Sequence, residues 1–150
     1  MDPKSDFERK ASAGYLANHL ARVFALALDS RLQALGLRLG AFPALLLLWE
    51  RDGLTQRDLV QELDIEQPTM AATLTRMERD GLIQRSPDAA DGRVQRIRLT
   101  ERGRAIEGPA KAEAQRVNAI ALRGFEAAEK TDFLQAMRRI IANFETASDK

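Results

Sequence analysis

The cations of this chain are divided by type along the sequence. All five lysines lie outside residues 22–104, so every cation from Arg22 to Arg104 is an arginine. Six arginines fall between Arg85 and Arg104, where there are only three acidic residues. A guanidinium group donates paired hydrogen bonds to phosphate oxygens and to guanine, for which the lysine ammonium lacks the geometry. This segment therefore suits an anionic ligand, although an ordinary salt-bridged surface would have the same composition.

The residue types on which most enzymes depend are scarce. The chain has no cysteine and a single histidine, His19, which excludes thiol nucleophiles, disulfides and cysteine-ligated zinc. It also lacks a glycine-rich phosphate loop and a metal-ligand cluster. A carboxylate-based hydrolase remains an alternative, but no acidic pair stands out. We therefore expect no catalytic residue, no metal and no cofactor, and predict that the protein is not an enzyme.

Length and composition indicate a globular protein of one domain. The chain has 150 residues, of which 45% are hydrophobic, and its net charge is only +1. It contains no run of about 18 apolar residues, the least that could span a membrane, and its first residues lack the character of a signal peptide. We expect a cytoplasmic protein with no membrane partner. The net charge does not by itself indicate nucleic acid.

Two short helices joined by a tight turn are predicted between residues 54 and 81. Thr55 is a good N-cap for the first helix, and Asp58 completes an acidic form of the capping box. The second helix opens near Gln67 and Pro68, with proline in its first turn, and ends before Gly81. Such a pair of helices can place the second one in the major groove of DNA.

The second helix divides into two faces. Met70, Leu74 and Met77 recur at helical spacing and should pack inward. The exposed face is predicted to carry four small or polar residues: Thr69, Ala72, Thr73 and Arg76. Threonine hydroxyls can bond phosphates or bases, alanine can touch a thymine methyl, and arginine can bind guanine. An amphipathic surface helix without a ligand is the alternative interpretation.

After this helix the spacing of the hydrophobic residues changes from the helical pattern to alternation, which predicts a β-hairpin. Residues 82–85 and 94–99 alternate as strands do, and the segment between them is rich in turn formers. Arg93 lies at the tip, and arginine is favoured in narrow minor grooves. Asp91 is placed to hold the loop through an ion pair with Arg93 or Arg96. A surface turn with incidental charges would have the same sequence.

Longer helices are predicted on both sides of this segment. They run over about 6–35 and 40–51, then from residue 101 to 122 with a bend near Gly108–Pro109, and over about 127–144. The last helix should bury Phe133, Leu134, Met137, Ile140, Ile141 and Phe144. Together with Phe7, Tyr15, Leu16 and Leu20 these residues exceed what a small lobe can cover. They either interleave between two subunits or fold back on their own domain.

Residues 54–99 resemble the MarR/SlyA family of winged-helix repressors. Ile65-Glu66-Gln67-Pro68-Thr69 is similar to the family's entry to the recognition helix. Asp91-Gly92-Arg93-Val94-Gln95-Arg96 matches its wing pattern Asp-x-Arg-x-x-Arg, and Ile97-Arg98-Leu99-Thr100-Glu101-Arg102-Gly103 resembles the segment that follows. The resemblance implies a mainly α (α+β) fold: a winged helix-turn-helix with a two-stranded wing, flanked by N- and C-terminal dimerisation helices.

The resemblance also implies how the chain is organised and what it binds. One domain, residues 1–150, would contain a DNA-binding lobe over 38–104 and dimerisation helices over 5–37 and 105–148. The homodimer would bind double-stranded DNA at a near-palindromic operator as a repressor, with an activator as the alternative. A helical adaptor that binds protein is the rival interpretation. The expected DNA-binding residues are Thr55, Gln56, Arg57, Gln67, Pro68, Thr69, Ala72, Thr73, Arg76, Asp91, Arg93 and Arg96.

Members of this family bind small aromatic acids between the dimer region and the DNA-binding lobe. In this chain Tyr15, His19 and Arg22 share one stripe of the first helix, at spacings i, i+4 and i+7. Arg22 is placed to pair with a carboxylate, and Phe42 and Trp49 to supply apolar walls. The resemblance therefore implies a possible aromatic carboxylate effector, although the stripe would also suit an ordinary polar interface.

Overall fold

The structure is a computed structural model that describes residues 7–148. Its elements are α1 (Ala13–Gln33), α2 (Phe42–Glu50), α3 (Gln56–Leu63), α4 (Gln67–Arg79), β1 (Ile83–Pro87), β2 (Gln95–Leu99), α5 (Glu101–Ala105), α6 (Glu107–Ala121) and α7 (Ala127–Ser148). Short 3₁₀ turns precede α1 and α2. The two strands form one antiparallel hairpin. The mainly helical fold with a two-stranded wing is thus confirmed. No helix in this part of the chain combines the length and apolarity that a membrane span requires.

The described chain forms two compact units, divided after Ala114. The first unit contains the hydrophobic core, to which α2, α3, α4 and both strands contribute. Met70, Leu74 and Met77 are buried there, as the helical spacing predicts. The wing alternates as a half-buried strand should, since Ile97 is buried and Arg98 is exposed. The core therefore fixes α4 and the wing in one lobe.

The start of α3 follows from four residues of local sequence. The Thr55 hydroxyl accepts the backbone N–H of Asp58 at 3.1 Å, and the Asp58 carboxylate accepts the N–H of Thr55 at 2.9 Å. This backbone hydrogen bond lowers the pKa of Asp58 from its ordinary value of 3.8. The predicted capping box is confirmed.

Replacing Thr55 by alanine should destabilise the protein by about 1 kcal/mol, because the first turn of α3 loses a side-chain acceptor for a backbone donor. Urea denaturation followed by circular dichroism measures the change. Ser30→Ala is a matched control, since the Ser30 hydroxyl bonds a carbonyl inside α1 and caps no helix. Equal stability of the Thr55 variant and the control would contradict this role of the cap.

The turn between α3 and α4 and the end of α4 are both fixed by left-handed residues. Asp64 has a φ of 52°, which lets the chain turn between the two helices. Gly81 has a φ of 75°, and the N–H of Leu82 reaches back to the carbonyl of Met77 at 3.0 Å. This is the bonding pattern of a Schellman motif, and it stops α4 where the sequence predicts.

The largest differences from the predicted boundaries lie at the start of α1 and between α5 and α6. The first helix begins at Ala13 because Ser12 serves as its N-cap and accepts the N–H of Tyr15 at 3.3 Å. The predicted bend near Gly108–Pro109 lies instead at Ile106, between α5 and α6. Pro109 falls in the first turn of α6, where the missing N–H has no partner to lose, so it does not interrupt the helix.

The predicted burial of α7 is wrong for the single chain. Leu134, Ile140, Ile141 and Phe144 are exposed, and Phe144 is 71% accessible. Phe133 and Met137 are half-buried, and the Phe133 ring packs edge-on against Phe125 with centroids 6.4 Å apart. The second unit is too small to cover its own apolar residues, which leaves a largely apolar face on α7.

Candidate nucleic-acid interface

The outer face of α4 is rotated from the predicted one. Its exposed side chains include Pro68, Thr69, Ala72, Thr75, Arg76 and Arg79. Thr73, predicted to face outward, is only 7% accessible and belongs to the core side. The spacing does contain the signal, because Thr73 follows Met70 by three residues and precedes Met77 by four. Both methionines face inward, and residues three and four apart share a helix face.

Four residues mark the centre of the outer face of α4, at spacings i, i+4, i+7 and i+11: Pro68, Ala72, Thr75 and Arg79. Thr69 and Arg76 border this stripe, and the guanidinium of Arg76 lies 3.4 Å from the Thr73 hydroxyl. The sequence analysis missed Thr75 and Arg79. The stripe is narrow where Ala72 lies and cationic at its C-terminal end, so it can approach an anionic surface closely.

The N-terminal end of α4 is fastened to α3 by two glutamines. The Gln56 amide donates to the side-chain oxygen of Gln67 at 3.0 Å. The side chain of Arg57, one residue further, is exposed and makes no hydrogen bond or ion pair within residues 7–148. The structure thus brings together the predicted residues Gln56, Arg57, Gln67 and Pro68 at the N-terminal end of α4.

The loop of the wing is organised by the carboxylate of Asp88. One oxygen accepts the backbone N–H groups of Ala90 at 2.7 Å and Asp91 at 3.2 Å. The other accepts Nε of Arg96 at 2.6 Å. These bonds, that of the Ala90 N–H foremost, lower the pKa of Asp88 from its ordinary value of 3.8. Asp88 therefore holds the loop in one conformation as long as it is ionised.

Acid should release this loop. Because the pKa of Asp88 is lowered in the folded state, its stabilising contribution is present above pH 3.8 and is lost as the pH falls through the lower, folded-state pKa. We expect the amide chemical shifts of Ala90 and Asp91 to titrate with a midpoint below 3.8. Asp88→Asn should remove that titration, and a midpoint at or above 3.8 in the native protein would contradict the assignment.

Arg93 and Arg96 have different places in the wing. Arg93 lies at the tip with its side chain 92% accessible, and the Asp91 carboxylate accepts both its backbone N–H and its Nε, at 3.0 and 3.2 Å. Arg96 lies at the base, where it donates to Asp88 and to the carbonyl of Gly53 at 3.1 Å. Asp91 thus orients Arg93 outward, and Arg96 ties the wing to the α2–α3 loop.

Further bonds hold the wing rigidly against the rest of the lobe. The N–H of Ile97 donates to the carbonyl of Leu54, and Thr55 pairs with Arg96 in an isolated antiparallel β-bridge, so the α2–α3 loop lies beside β2. Asp52, which the sequence analysis did not single out, accepts the N–H of Leu99 at 2.9 Å.

On the other side of the wing, β1 is tied to α4 through Arg85. Its backbone N–H donates to Glu78 at 3.2 Å, and its guanidinium donates to the hydroxyl of Thr75 at 3.1 Å. The outer face of α4 and the wing tip are therefore presented as one surface.

The residues predicted for an effector pocket fall into two groups. Phe42 is 6% accessible and packs edge-on against Trp49, whose indole N–H donates to the carbonyl of Gly103 at 2.8 Å. Phe42 is thus buried against Trp49, and its predicted role as an apolar pocket wall stays a prediction. Tyr15 lies on α1 with His19 beside its ring, and its hydroxyl accepts a hydrogen bond from Arg9.

Arg22, the predicted carboxylate partner, is exposed on the same helix as Tyr15 and His19. Within residues 7–148, no hydrogen bond or ring contact joins Tyr15, His19 or Arg22 to Phe42 or Trp49.

Comparisons with known proteins find one family model and several transcriptional regulators. The sequence model of the MarR family matches residues 37–94. The uncharacterised HTH-type transcriptional regulator YybA of Bacillus subtilis (strain 168) is 27% identical over 127 residues, which are 82% of this chain and 85% of YybA. The transcriptional regulator PA3341 is 34% identical in sequence to this chain. Its crystal structure matches with a TM-score of 0.78, over 90% of this chain and 99% of PA3341. A MarR-type regulator of Listeria monocytogenes, crystallised with a 26mer DNA, has a TM-score of 0.82 at 25% identity, over 88% of both chains.

Proposed function

This chain belongs to the MarR family of DNA-binding transcriptional regulators, and on that premise we propose that it is a dimeric repressor of a near-palindromic operator, released by a small acid. The observation that carries the proposal is the single rigid surface formed by α4 and the wing. It presents an exposed helix face with a guanidinium at its end and a second, highly exposed guanidinium at the wing tip. The relative crystallised with DNA supports a nucleic-acid partner.

Each part of this surface has a proposed role in reading DNA. The stripe of Pro68, Ala72, Thr75 and Arg79, with Thr69 and Arg76 beside it, enters the major groove. Gln56 and Arg57 lie along the phosphate backbone, and Arg93 enters the adjacent minor groove. Asp91 and Arg96, also predicted to bind DNA, position the wing: Asp91 holds Arg93, and Arg96 bonds Asp88 and the carbonyl of Gly53.

The dimer is proposed from apolar residues that the single chain leaves exposed. On α1 these are Leu16, Leu20, Val23 and Leu26, and on α7 they are Leu134, Ile140, Ile141 and Phe144. Exposed apolar surfaces of this extent mark protein interfaces. Residues 5–37 and 105–148 are the proposed dimerisation helices, and residues 38–104 the DNA-binding lobe. Residues 5 and 6 lie outside the described part. Two such lobes about 34–36 Å apart would match successive major grooves.

Footprinting on the DNA that flanks the protein's own gene tests the proposal. We expect a protected near-palindrome and an affinity that falls steeply as salt is raised, because each phosphate contact releases counterions. Random DNA of equal length is the control. Equal affinity for both would refute sequence-specific recognition, and protection of a single half-site by a monomer would refute the dimer.

Arg93→Ala should lower operator affinity about tenfold or more, because each wing loses the guanidinium that lies in the minor groove. Fluorescence anisotropy at fixed salt measures the change. Arg123→Ala is the matched control, since Arg123 is exposed in the second unit and its side chain makes no hydrogen bond or ion pair within residues 7–148. Equal losses in the two variants would show that only overall charge matters.

Release by an aromatic or phenolic acid is proposed from the stripe on α1. Arg22 and His19 are exposed there and could bind a carboxylate once a second subunit covers the stripe. A thermal-shift screen of aromatic carboxylates against the native protein and Arg22→Ala provides the test. A ligand response that is absent, or unchanged in the variant, would remove this site.

A further inference from the structure

The hydroxyl of Thr75, on the outer face of α4, has two hydrogen-bond partners within the protein. It lies 3.0 Å from the backbone carbonyl of Ala71, one turn earlier in the helix. It also lies 3.1 Å from Nη2 of Arg85, which belongs to β1. The residue is nevertheless exposed, so a molecule that approaches α4 can reach its side chain.

The chemistry of these two partners fixes the direction of both hydrogen bonds. A carbonyl oxygen can accept but not donate, so the Thr75 hydroxyl uses its single proton on Ala71. A guanidinium group can donate but not accept, so Arg85 occupies one of the two lone pairs of the same oxygen. One lone pair remains. Toward a ligand, Thr75 is therefore an acceptor that has no proton to donate.

Arg85 is held in place by contacts that do not involve Thr75. Its backbone N–H donates to the carboxylate of Glu78 at 3.2 Å, and the strand to which it belongs pairs with β2. Its Nε is buried and has no hydrogen-bond partner within the described residues. An unpaired buried donor lowers stability, so such a group in a folded protein requires an explanation. Positioning of the Thr75 hydroxyl explains why a guanidinium lies here.

The other threonine of this surface is not constrained in the same way. Thr69 is exposed, and its side chain makes no hydrogen bond within residues 7–148. Its hydroxyl can turn to donate or to accept, so it suits a donor and an acceptor equally well. Discrimination between the two kinds of ligand atom is therefore expected at Thr75 and not at Thr69.

DNA bases differ in the property that Thr75 distinguishes. In the major groove, adenine and cytosine expose an amino group that donates, whereas guanine and thymine expose a keto oxygen that accepts. We infer that Thr75, positioned by Arg85, makes the protein select an amino base over a keto base at one position in each half-site of its operator. The inference rests on the proposed function, because it requires that α4 enters the major groove.

Binding to altered operators tests the inference. Each base pair of one half-site of the footprinted operator, with its symmetry mate in the other, is replaced by the three alternatives, and fluorescence anisotropy gives the affinities. We expect one position at which adenine and cytosine on one strand bind about tenfold or more tightly than guanine and thymine. The base purine, which is adenine without its amino group, should bind there as weakly as the keto bases.

Three variants assign this preference to its residues. Thr75→Val lacks the hydroxyl and should abolish the preference, whereas Thr75→Ser keeps the hydroxyl and should retain it. Arg85→Met removes the donor, frees the hydroxyl to turn, and should weaken the preference at the same position. The ratio between base pairs is the readout, because a lost charge weakens binding to all sequences alike.

Thr131→Val is the matched control for the threonine variants. Thr131 is exposed on α7, and its hydroxyl donates to the carbonyl of Ala127, also one turn earlier, at 3.1 Å. This variant should leave the preference unchanged. A loss of preference in Thr131→Val equal to that in Thr75→Val overturns the assignment to Thr75.

The outcomes separate this inference from the proposed function. Specific binding without a position that prefers amino bases, or with a preference that survives Thr75→Val, overturns the inference while the proposed function stands. A preference for thymine, as contact with the Thr75 methyl group would give, also overturns it. A preference unchanged in Arg85→Met overturns the role of Arg85. If the protein binds no operator more tightly than random DNA, the proposed function fails and this inference fails with it.

Discussion

Specific operator binding is expected to fall by at least about 30-fold when Ala72 is replaced by glutamate. Ala72 lies at the centre of the exposed face of α4, between Pro68 and Arg79, where its small side chain permits close approach to the bases. A carboxylate there would face phosphates and unmatched base edges. One mismatched contact between a side chain and a base costs about 1–3 kcal/mol of binding free energy. Because a dimer carries two copies of the substitution, operator binding should lose about 2–6 kcal/mol. Fluorescence anisotropy with the footprinted operator measures it.

The matched control introduces the same charge elsewhere on the first compact unit. Ala105 is exposed on α5, and Ala105→Glu should change affinity only slightly. Both variants should retain the thermal stability of the native protein, because both positions are exposed and glutamate is a good helix former. Comparable affinities of the two variants for the operator would show that the outer face of α4 does not enter the groove.

The second large effect concerns stability: Gly103→Ala should destabilise the protein by about 2–3 kcal/mol. A β-carbon at this position would lie 2.2 Å from the carbonyl oxygen of Leu82 and 3.2 Å from the Leu99 side chain. The Leu82 carbonyl accepts the N–H of Thr100, and the Gly103 carbonyl accepts the indole N–H of Trp49. The clash therefore falls on backbone that is already bonded on both sides, and overpacking of this kind costs about 1–3 kcal/mol.

Urea denaturation provides the measurement, and Gly14→Ala is its control. Gly14 lies in the first turn of α1, where an added β-carbon meets nothing within 4 Å. Alanine there should be neutral or stabilising by up to about 1 kcal/mol, because glycine loses more conformational entropy in a helix. If the urea midpoint of Gly103→Ala equals or exceeds that of the native protein, α5 moves away from Leu82 without a loss of stability.

Several features of the fold could be predicted because neighbours in sequence create them. The capping box of Thr55 and Asp58 satisfies backbone groups within one turn, and Gly81 ends α4 by its own conformational freedom. The alternation around Ile97 likewise requires only that one face of the strand be buried. Caps, turns and alternation depend on residues that are close in sequence, so they can be predicted without knowing how the rest of the chain packs.

The exposed face of α4 was predicted only in part, and Thr73 shows why. Helical spacing gives the relative angles of side chains, but the width of the buried arc depends on what packs against it. In this lobe the core extends far enough round α4 to bury Thr73, which leaves Thr75 and Arg79 in the outer face. The spacing from Met70 and Met77 indicates the inner side for Thr73, but only the packing shows how far round the helix burial extends.

By itself the sequence determined the order of the elements, the helix ends around the turn at Asp64, and the wing with Arg93 at its tip. The tertiary structure decided which partners the charges and rings took. Arg96 pairs with Asp88 and Gly53, and Trp49 bonds Gly103, because folding brings segments far apart in the chain within bonding distance. Local patterns specify conformation over a few residues, whereas such pairings depend on the packing of the whole lobe.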